Sequence, residues 1–178
     1  MALRVIGPTE RADAIREFEG MVQAYRALWA GEPSAGLFDL PGTRAFYLKM
    51  IDDLLPLGYV HSSVLMLEGA PVSWHFGFLY QGALHYYKPT YAVRLASHSP
   101  GKVHLAMLVD QGIRSGWRHI DLGCGMEEYK SRWTDSGVEL RQVAFRTSAW
   151  HGTLCQAARL VKQTVYKGSK LVGHSPAL

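Results

Sequence analysis

The chain has 178 residues, of which 48% are apolar and 19% charged, and its formal net charge is +4. This balance predicts one globular domain with a sizeable core, and no run approaches the ~18 apolar residues of a membrane-spanning helix. The two cysteines, Cys124 and Cys155, form neither a metal-spaced pair nor a disulfide framework, and the N-terminal residues lack the apolar core of a signal peptide. We therefore expect a soluble, cytoplasmic protein with no membrane span.

Two amphipathic helices are predicted first. Apolar residues recur at three- and four-residue steps from Thr9 to Ala30, with Thr9 as the cap. The same pattern from Phe46 to Leu55 predicts a second helix that begins near Thr43.

Three antiparallel strands are predicted next. Val60–Leu67, Val72–Tyr80 and Ala83–Thr90 are rich in β-branched and aromatic residues, and tight turns at Gly69 and Gly82 separate them. Aromatic residues at strand spacing favour a protein core over a stacking platform for nucleic acid. The residues concerned are Trp74, Phe76, Phe78, Tyr80, Tyr86 and Tyr87.

A helix and a parallel strand follow. Ser99 is a natural N-cap, Pro100 suits the first helical position, and Gly116 closes the helix after Ser115. This helix is apolar over most of its circumference, so we expect it to be well buried. If it is a crossover, the strand at Arg118–Gly123 runs parallel to the preceding one.

The rest of the chain is predicted to alternate short elements and to end in a tail. We expect a short helix at Glu127–Asp135, a strand at Val138–Arg146, an amphipathic helix from Trp150 to Val165 and an unstructured end. No acidic residue follows Glu139, whereas six basic residues do. Such an end favours a solvated helix face and tail, and a phosphate, a membrane surface or an acidic partner is the alternative.

The turn Asp121-Leu-Gly-Cys-Gly125 has two interpretations. It matches the first glycine motif of Rossmann-type methyltransferases, which bind S-adenosylmethionine. However, Glu127 stands where the fuller pattern has its third glycine, and that fold would place this strand first in a parallel sheet. The antiparallel strands that precede the turn argue against it.

The order of elements resembles the GNAT acyltransferase architecture. Several motifs resemble the C-terminal half of GNAT proteins of the cellulose-biosynthesis (CelD/BcsL-like) type, and more distantly the Fem-type aminoacyltransferases. They are Gly69-Ala-Pro-Val-Ser, Tyr91, Ser99-Pro-Gly, Gly116 and Asp121-x-Gly-x-Gly-x-Glu-x-Tyr-Lys-x-x-Trp133. The resemblance spans Phe46–Phe145 and implies an α/β, GNAT-like fold whose mixed, mostly antiparallel sheet is flanked by helices.

The resemblance also implies a domain organisation. Residues 1–35 would be an N-terminal helical segment, residues 36–147 the GNAT-like core, and residues 148–178 a C-terminal amphipathic helix with a basic tail. Members of that family carry two GNAT-like halves, and this chain has room for one. The second half would come from a homodimer partner or from a longer protein.

The function implied is transfer of an acetyl or other acyl group from acyl-CoA to an amine or, less readily, a sugar hydroxyl. Acetyl-CoA would bind in the gap between the strands at Tyr86–Thr90 and Ile120–Gly123. Ser99, Pro100, Gly101 and Lys102 would hold its pyrophosphate at a helix N-terminus, where the dipole and the backbone N–H groups favour an anion. An ordinary Ser-Pro helix cap is the structural alternative.

Four residues are candidates for catalysis in this interpretation. Glu127 would deprotonate the attacking amine, Tyr129 would give a proton to the leaving thiolate, and Lys130 would bind an anionic group. Asp121 would either accept hydrogen bonds from the turn or position the amine. The structural alternatives are a core position for Tyr129 and an ion pair of Lys130 with Asp121 or Glu127.

The histidines suggest no metal site, because their spacing matches no ligand pattern. His75 and His85 are expected on the two sides of the sheet, and His98 and His104 on a loop and a helix surface. Besides acyl transfer, two functions remain open: S-adenosylmethionine-dependent methyl transfer, and a non-catalytic half-domain that acts as a scaffold. We expect a small-molecule or saccharide acceptor and no nucleic-acid partner.

Overall fold

The structure is a computed structural model that describes residues 1–125 and 127–141. Met1–Gly125 forms one compact unit, and the chain that follows belongs to a second. The elements of the first unit are β1 (Ala2–Ile6), α1 (Arg11–Leu28), α2 (Thr43–Leu54), β2 (Val60–Leu67), β3 (Ala70–Tyr80), β4 (Ala83–Tyr91), α3 (Pro100–Ser115) and β5 (His119–Asp121), with 3₁₀ helices at Pro33–Asp39 and Val93–His98. In the second unit, α4 covers Glu128–Ser131.

The five strands form one mixed sheet in the order β1-β2-β3-β4-β5. Among the strands of the described residues, the first three pairings are antiparallel and only β4 and β5 run parallel, with α3 as the crossover between them. This confirms the predicted mixed, mostly antiparallel sheet flanked by helices. Because β5 follows an antiparallel meander and pairs parallel with its last strand, the order of the described strands is not that of a Rossmann-type methyltransferase.

Strand β1 was not predicted from the sequence. It pairs antiparallel with β2, from Ala2 opposite Met66 to Ile6 opposite Ser62. Its five residues are too few for a clear alternation, and Arg4 in the middle interrupts the apolar pattern. Arg4 forms an ion pair with Asp13 of α1, which attaches the edge strand to the helix layer.

Helices α1 and α2 cover one face of the sheet with an aromatic core. The ring of Phe18 stacks on Tyr47 at 5.5 Å between centroids and meets the edge of Phe76 at 6.0 Å. Such aromatic pairs contribute about 0.5–1.5 kcal/mol each beyond the burial of their surface. The aromatic residues of β3 therefore serve this core, as predicted, although Tyr80 at the strand end is half exposed.

Helix α3 covers the opposite face but is less buried than its composition predicted. Leu105 and Leu108 are buried, whereas Ile113 is 77% exposed. The helix is an outer layer of an α/β/α arrangement, so one side must face away from the sheet. The prediction for His104 was also wrong, because this side chain is only 1% exposed and faces the sheet rather than the surface.

The predicted ends of the helices are partly corrected. Helix α1 has Glu10 rather than Thr9 as its N-cap, and the Glu10 carboxylate accepts a hydrogen bond from the Gly7 N–H at 2.6 Å. Ser99 does precede α3, but its φ of 50° is left-handed and its side chain makes no capping hydrogen bond. Gly116 closes α3 as predicted, with a φ of 68°.

In the second unit, α4 is shorter than the predicted helix at Glu127–Asp135, and residues 136–141 contain no strand. The remainder of the predicted strand to Arg146 and the predicted helix from Trp150 lie outside the described residues. Among the helices of the described ranges, none has both the length and the hydrophobicity that crossing a bilayer requires.

Candidate active site

The parallel pairing of β4 and β5 is short. The two strands pair only from Ala83 opposite His119 to His85 opposite Asp121, after which β5 ends and β4 continues to Tyr91. We call this place, where β5 ends beside β4, the fork. Within Met1–Gly125, β5 therefore leaves the distal half of β4 uncovered. The carboxyl ends of parallel strands at a change of strand direction are a common place for ligands in α/β proteins.

A β-bulge lies at the start of the fork. Phe76 of β3 pairs with Lys88 and Phe78 pairs with His85, so that two residues of β4 oppose the single residue Gly77. Only glycine fits there, because an added Cβ would lie 2.3 Å from the backbone oxygen of His85. Bulges re-aim side chains and are frequent next to active sites.

The two tyrosines at the bulge lie on opposite faces of the sheet, as consecutive residues of a strand do. Tyr86 stacks on His75, with ring centroids 4.7 Å apart, on the face that α3 covers. Tyr87 lies on the face of α1 and α2, where its hydroxyl is 3.3 Å from that of Tyr47. Burial, followed by the hydrogen bond with Tyr87, raises the pKa of Tyr47, so the Tyr47 phenol stays neutral near pH 7.

A histidine–carboxylate pair lies at the start of the fork, where β5 ends. His85 Nδ1 lies 3.3 Å from Asp121 Oδ2, and Asp121 Oδ1 accepts a hydrogen bond from the Gly123 N–H at 2.8 Å. About half of each side chain is exposed, 46% for His85 and 49% for Asp121. The predicted hydrogen bond of Asp121 to the turn is confirmed. Its contact with His85 was missed, and only the register of the two parallel strands could have revealed it.

The predicted phosphate-binding residues lie where the connection after β4 enters α3. The Ser99 carbonyl accepts hydrogen bonds from the N–H groups of Lys102 at 3.0 Å and Val103 at 3.2 Å. Gly101 lies against the ring of Tyr91, the last residue of β4, which a Cβ at Gly101 would approach to 3.4 Å. The turn is thus packed onto the far end of the fork. The binding role of Ser99, Pro100, Gly101 and Lys102 stays a prediction.

Three of the four predicted catalytic residues belong to the second unit, and the fourth, Asp121, to the first. Lys130 Nζ and Glu127 Oε2 form an ion pair at 2.8 Å, which is one of the structural roles considered for Lys130. Tyr129 is half-buried, and burial together with the nearby Glu127 carboxylate raises its pKa. A tyrosine in this state keeps its proton near neutral pH. The catalytic roles of these residues are untested.

A cluster of buried histidines lies under α3, on the far side of the sheet from Tyr87. His104 is held between two serines, with Ser63 Oγ 3.0 Å from Nε2 and Ser73 Oγ 3.0 Å from Nδ1. Because Ser73 donates its hydrogen to the Thr90 carbonyl, it accepts from Nδ1–H, so His104 is the neutral Nδ1–H tautomer.

Among the described residues, neither ring nitrogen of the other two members of the cluster, His61 and His75, has a hydrogen-bond partner. Burial lowers the pKa of His61 to about 4 and that of His104 to about 3. Burial and the neighbouring imidazoles hold the pKa of His75 well below its usual range. Within residues 1–125 and 127–141, no group of three or more His, Cys, Asp or Glu side chains has the geometry of a metal site.

Comparison with known proteins identifies the family. Residues 2–131, well over half of the chain, match the acetyltransferase (GNAT) domain. No curated protein matches the sequence. The finer resemblance to cellulose-biosynthesis and Fem-type proteins is not confirmed.

Solved structures share the fold at low sequence identity. An aminoglycoside acetyltransferase from an uncultured soil metagenomic sample, in complex with sisomicin, has a TM-score of 0.55 at 12% identity, over 83% of this chain and 95% of its own. The ribosomal-protein-alanine N-acetyltransferase of Brucella melitensis biovar Abortus 2308 has a TM-score of 0.52 at 10% identity, over 82% of this chain and 99% of its own. AAC(6')-Iy with the bisubstrate analog CoA-S-monomethyl-acetylneamine has a TM-score of 0.51 at 13% identity, over 83% of this chain and 98% of its own. With the family match and the five-stranded sheet that opens at β4 and β5, these likenesses lead to one conclusion: the chain belongs to the GNAT acetyltransferase domain family.

Proposed function

We propose that this protein transfers an acyl group, acetyl in the simplest case, from an acyl-CoA thioester to an amine. The observation that carries the proposal is the fork, where β4 extends past the end of β5 in a domain of the GNAT family. An exposed strand edge presents a row of backbone hydrogen-bonding groups. An extended ligand with its own amides, such as the pantetheine arm of CoA, can pair with such an edge as an added strand would.

The charge distribution supports an anionic ligand at the far end of the fork. Residues 69–109 contain no Asp or Glu, whereas Lys88, Arg94 and Lys102 lie in this stretch. Lys102 is half-buried in the first turn of α3, beside the Gly101 N–H at the positive end of the helix dipole. These groups fit the phosphates of CoA. We therefore assign phosphate binding to Ser99, Pro100, Gly101 and Lys102.

The acceptor that the comparisons favour is an amine. One structural neighbour is an aminoglycoside acetyltransferase crystallised with sisomicin, and another is a ribosomal-protein-alanine N-acetyltransferase. These neighbours support the acceptor class by analogy of fold only. We therefore propose an amine on a small molecule, including an amino sugar, and we retain a sugar hydroxyl as the less favoured acceptor.

Catalysis in such a site depends mainly on holding the amine against the thioester carbonyl. The sequence-based candidates for the proton transfers remain Glu127 as a base and Tyr129 as a donor to the departing thiolate, with Lys130 as an anion-binding group. The raised pKa of Tyr129 fits a group that enters the reaction protonated.

A second GNAT-like half from a homodimer partner or a longer protein also stays a proposal, which sedimentation velocity of the native protein would test.

Calorimetric titration of the full chain with acetyl-CoA tests the proposal. We expect Lys102→Glu to weaken binding about tenfold, since one well-placed charged contact is worth ~1.4 kcal/mol. Arg114→Glu is the matched control, because it makes the same charge change on the exposed, opposite end of α3. Unchanged binding by Lys102→Glu would remove the phosphate assignment.

Two other outcomes would point to other functions. Binding of S-adenosylmethionine without binding of acetyl-CoA would replace the proposal by methyl transfer. Binding of neither, with cellular function intact in Glu127→Ala and Lys130→Ala, would indicate a scaffold.

A further inference from the structure

We propose that His85 is a catalytic base of this domain and that Asp121 is its positioning residue. His85 Nε2 would accept the proton that the attacking amine loses. The inference rests on the proposed acyl transfer, and it differs from the sequence prediction, which gave the base role to Glu127. The observation that carries it is the His85–Asp121 pair at the start of the fork, where β5 ends.

The hydrogen bonds around Asp121 determine how the imidazole is held. Asp121 Oδ1 is fixed by the Gly123 N–H at 2.8 Å, and Oδ2 lies 3.3 Å from His85 Nδ1. An ionised carboxylate can only accept hydrogen bonds, so Nδ1 must carry the hydrogen. The lone pair of the neutral ring is then on Nε2, where a base needs it. A carboxylate that fixes the tautomer and orientation of a histidine is a recurring arrangement in catalytic sites.

The position of the pair follows from the fold. His85 is the last residue of β4 that pairs with β5, and Asp121 is its partner in register and the last residue of β5. The strand pairing that joins the two side chains therefore ends where the fork begins. His85 is also opposite Phe78, which places it on the face of α1 and α2 together with Tyr87.

The buried histidines of the first unit are less suited to the role. His61, His75 and His104 are at most 5% exposed and lie under α3, so a substrate amine cannot reach them without opening the core. His85, in contrast, is 46% exposed. Of these four imidazoles, only His85 is reachable and has a carboxylate partner among the described contacts.

The proton transfer completes a balanced acyl transfer. The amine nitrogen forms a bond to the thioester carbonyl carbon, and its proton passes to His85 Nε2. The carbon–sulfur bond then breaks, the carbonyl double bond is restored, and the sulfur leaves with the electron pair. His85 returns the proton to the thiolate, so that an amide and a thiol are formed and the neutral imidazole is regenerated. No other reactant is required.

The test compares five variants of the full chain, one of which is Glu127→Gln for the alternative base. His85→Asn keeps a side-chain N–H near the Nδ1 position, so it can still donate to Asp121, but it has no atom at Nε2. His85→Gln is the second variant, in case the first is unstable. Asp121→Asn tests the positioning role, and His119→Gln replaces another exposed histidine at the same strand pair as a matched control.

The measurements separate binding from chemistry. Acetyl-CoA affinity is measured by calorimetry, and thiol release is followed from about pH 5.5 to 9 with sisomicin, with an alanine-terminated peptide, and with water alone as acceptor. We expect both His85 variants to bind acetyl-CoA within about twofold of the native protein, to lose about a hundredfold in kcat, and to lose the rise of kcat/KM with pH on the acidic side. We expect Asp121→Asn to lose about tenfold in kcat and to keep that rise, and His119→Gln to change neither.

Every other outcome contradicts the assignment. If folded His85→Asn and His85→Gln keep the native rise of kcat/KM with pH on the acidic side, the assignment is overturned. If that rise disappears instead in Glu127→Gln, the base is Glu127. If the native protein binds acetyl-CoA but releases no thiol with any acceptor, His85 is not a working base, although the binding half of the proposed function stands. If the native protein binds no acetyl-CoA, the proposed function and this inference both fail.

Discussion

The buried histidines make stability depend on pH at the scale of single residues. In the folded protein, burial lowers the pKa of His61 to about 4 and that of His104 to about 3, from an ordinary value of 6.5. Between these values and 6.5 the unfolded chain binds more protons than the folded one. The contribution of neutral burial is therefore complete above pH 6.5 and is lost as the pH falls, at about 1.4 kcal/mol per pH unit for each histidine.

A substitution at His61 tests this argument. Neither ring nitrogen has a hydrogen-bond partner within residues 1–125 and 127–141, and the ring meets Trp117 edge-on at 5.2 Å between centroids. We expect His61→Phe to be nearly neutral or stabilising at pH 7.5, since an apolar ring replaces two buried polar atoms. Its unfolding free energy should fall less steeply on acidification, by about 1.4 kcal/mol per pH unit below 6.5.

Urea unfolding of both proteins at several pH values between about 5 and 7.5 measures the difference. An identical slope in native protein and variant would show that His61 is not buried as a neutral ring. A loss of stability at all pH values would instead indicate that the ring nitrogens are satisfied by groups that phenylalanine cannot replace.

At the scale of elements, the bulge in β4 depends on one glycine. A Cβ at Gly77 would lie 2.3 Å from the His85 carbonyl oxygen and 2.6 Å from His75 Nε2. Since the backbone of β4 must move to relieve the first contact, we expect Gly77→Ala to destabilise the protein by about 2 kcal/mol or more. Because the displaced residue is His85, we also expect a lower kcat in any acyl-transfer assay.

Gly36→Ala is the matched control for this substitution. Gly36 lies in the 3₁₀ helix at Pro33–Asp39, and a Cβ there would have no neighbour within 4 Å. Its unfolding free energy should stay within about 0.5 kcal/mol of the native value. Equal effects of the two substitutions, measured by urea unfolding, would contradict the tight packing at the bulge.

Elements with strong local signals were predictable from the sequence. The meander β2–β4 follows from alternating residues and turn glycines, and α3 from Pro100 at its start and Gly116 at its end. Strand β1 was missed because a five-residue edge strand depends on its pairing with β2 rather than on its own pattern. Predictions failed where burial depends on the partner layer, as for His104 and Ile113.

The candidate site was predictable only in part. Asp121 and the start of α3 carry motif signals, and the structure places them at the two ends of the fork. His85 carries no motif. Its importance comes from a partner 36 positions away, through a parallel register that no local pattern encodes. The bulge opposite Gly77 likewise depends on a long-range pairing of strands.

At the scale of the whole molecule, acidic groups are segregated along the chain. The carboxylates on α1 and α2 form ion pairs, among them Asp13 with Arg16 and Asp52 with Arg11. In contrast, residues 69–109, from β3 into α3, carry no carboxylate. A surface whose fixed charges are of one sign attracts an oppositely charged ligand over several ångströms, and added salt weakens that attraction.

This segregation makes the salt dependence of binding a test of which part of the ligand the protein recognises. We expect the affinity for acetyl-CoA to fall about tenfold between about 50 mM and about 500 mM NaCl, because its phosphates meet the basic residues around Lys102. S-acetylpantetheine has the same acyl arm but no nucleotide phosphates, so its affinity should be lower and should change less than about twofold over the same range. Calorimetric titrations of both ligands measure the two slopes.

Equal slopes would mean that the fork binds only the neutral arm and that the carboxylate-free stretch has another purpose. A steep slope that Lys102→Glu flattens for acetyl-CoA alone would locate the phosphates at the start of α3, at the opposite end of β4 from His85 and Asp121. The thioester would then lie where β4 and β5 separate, which is the geometry that proton transfer to His85 requires.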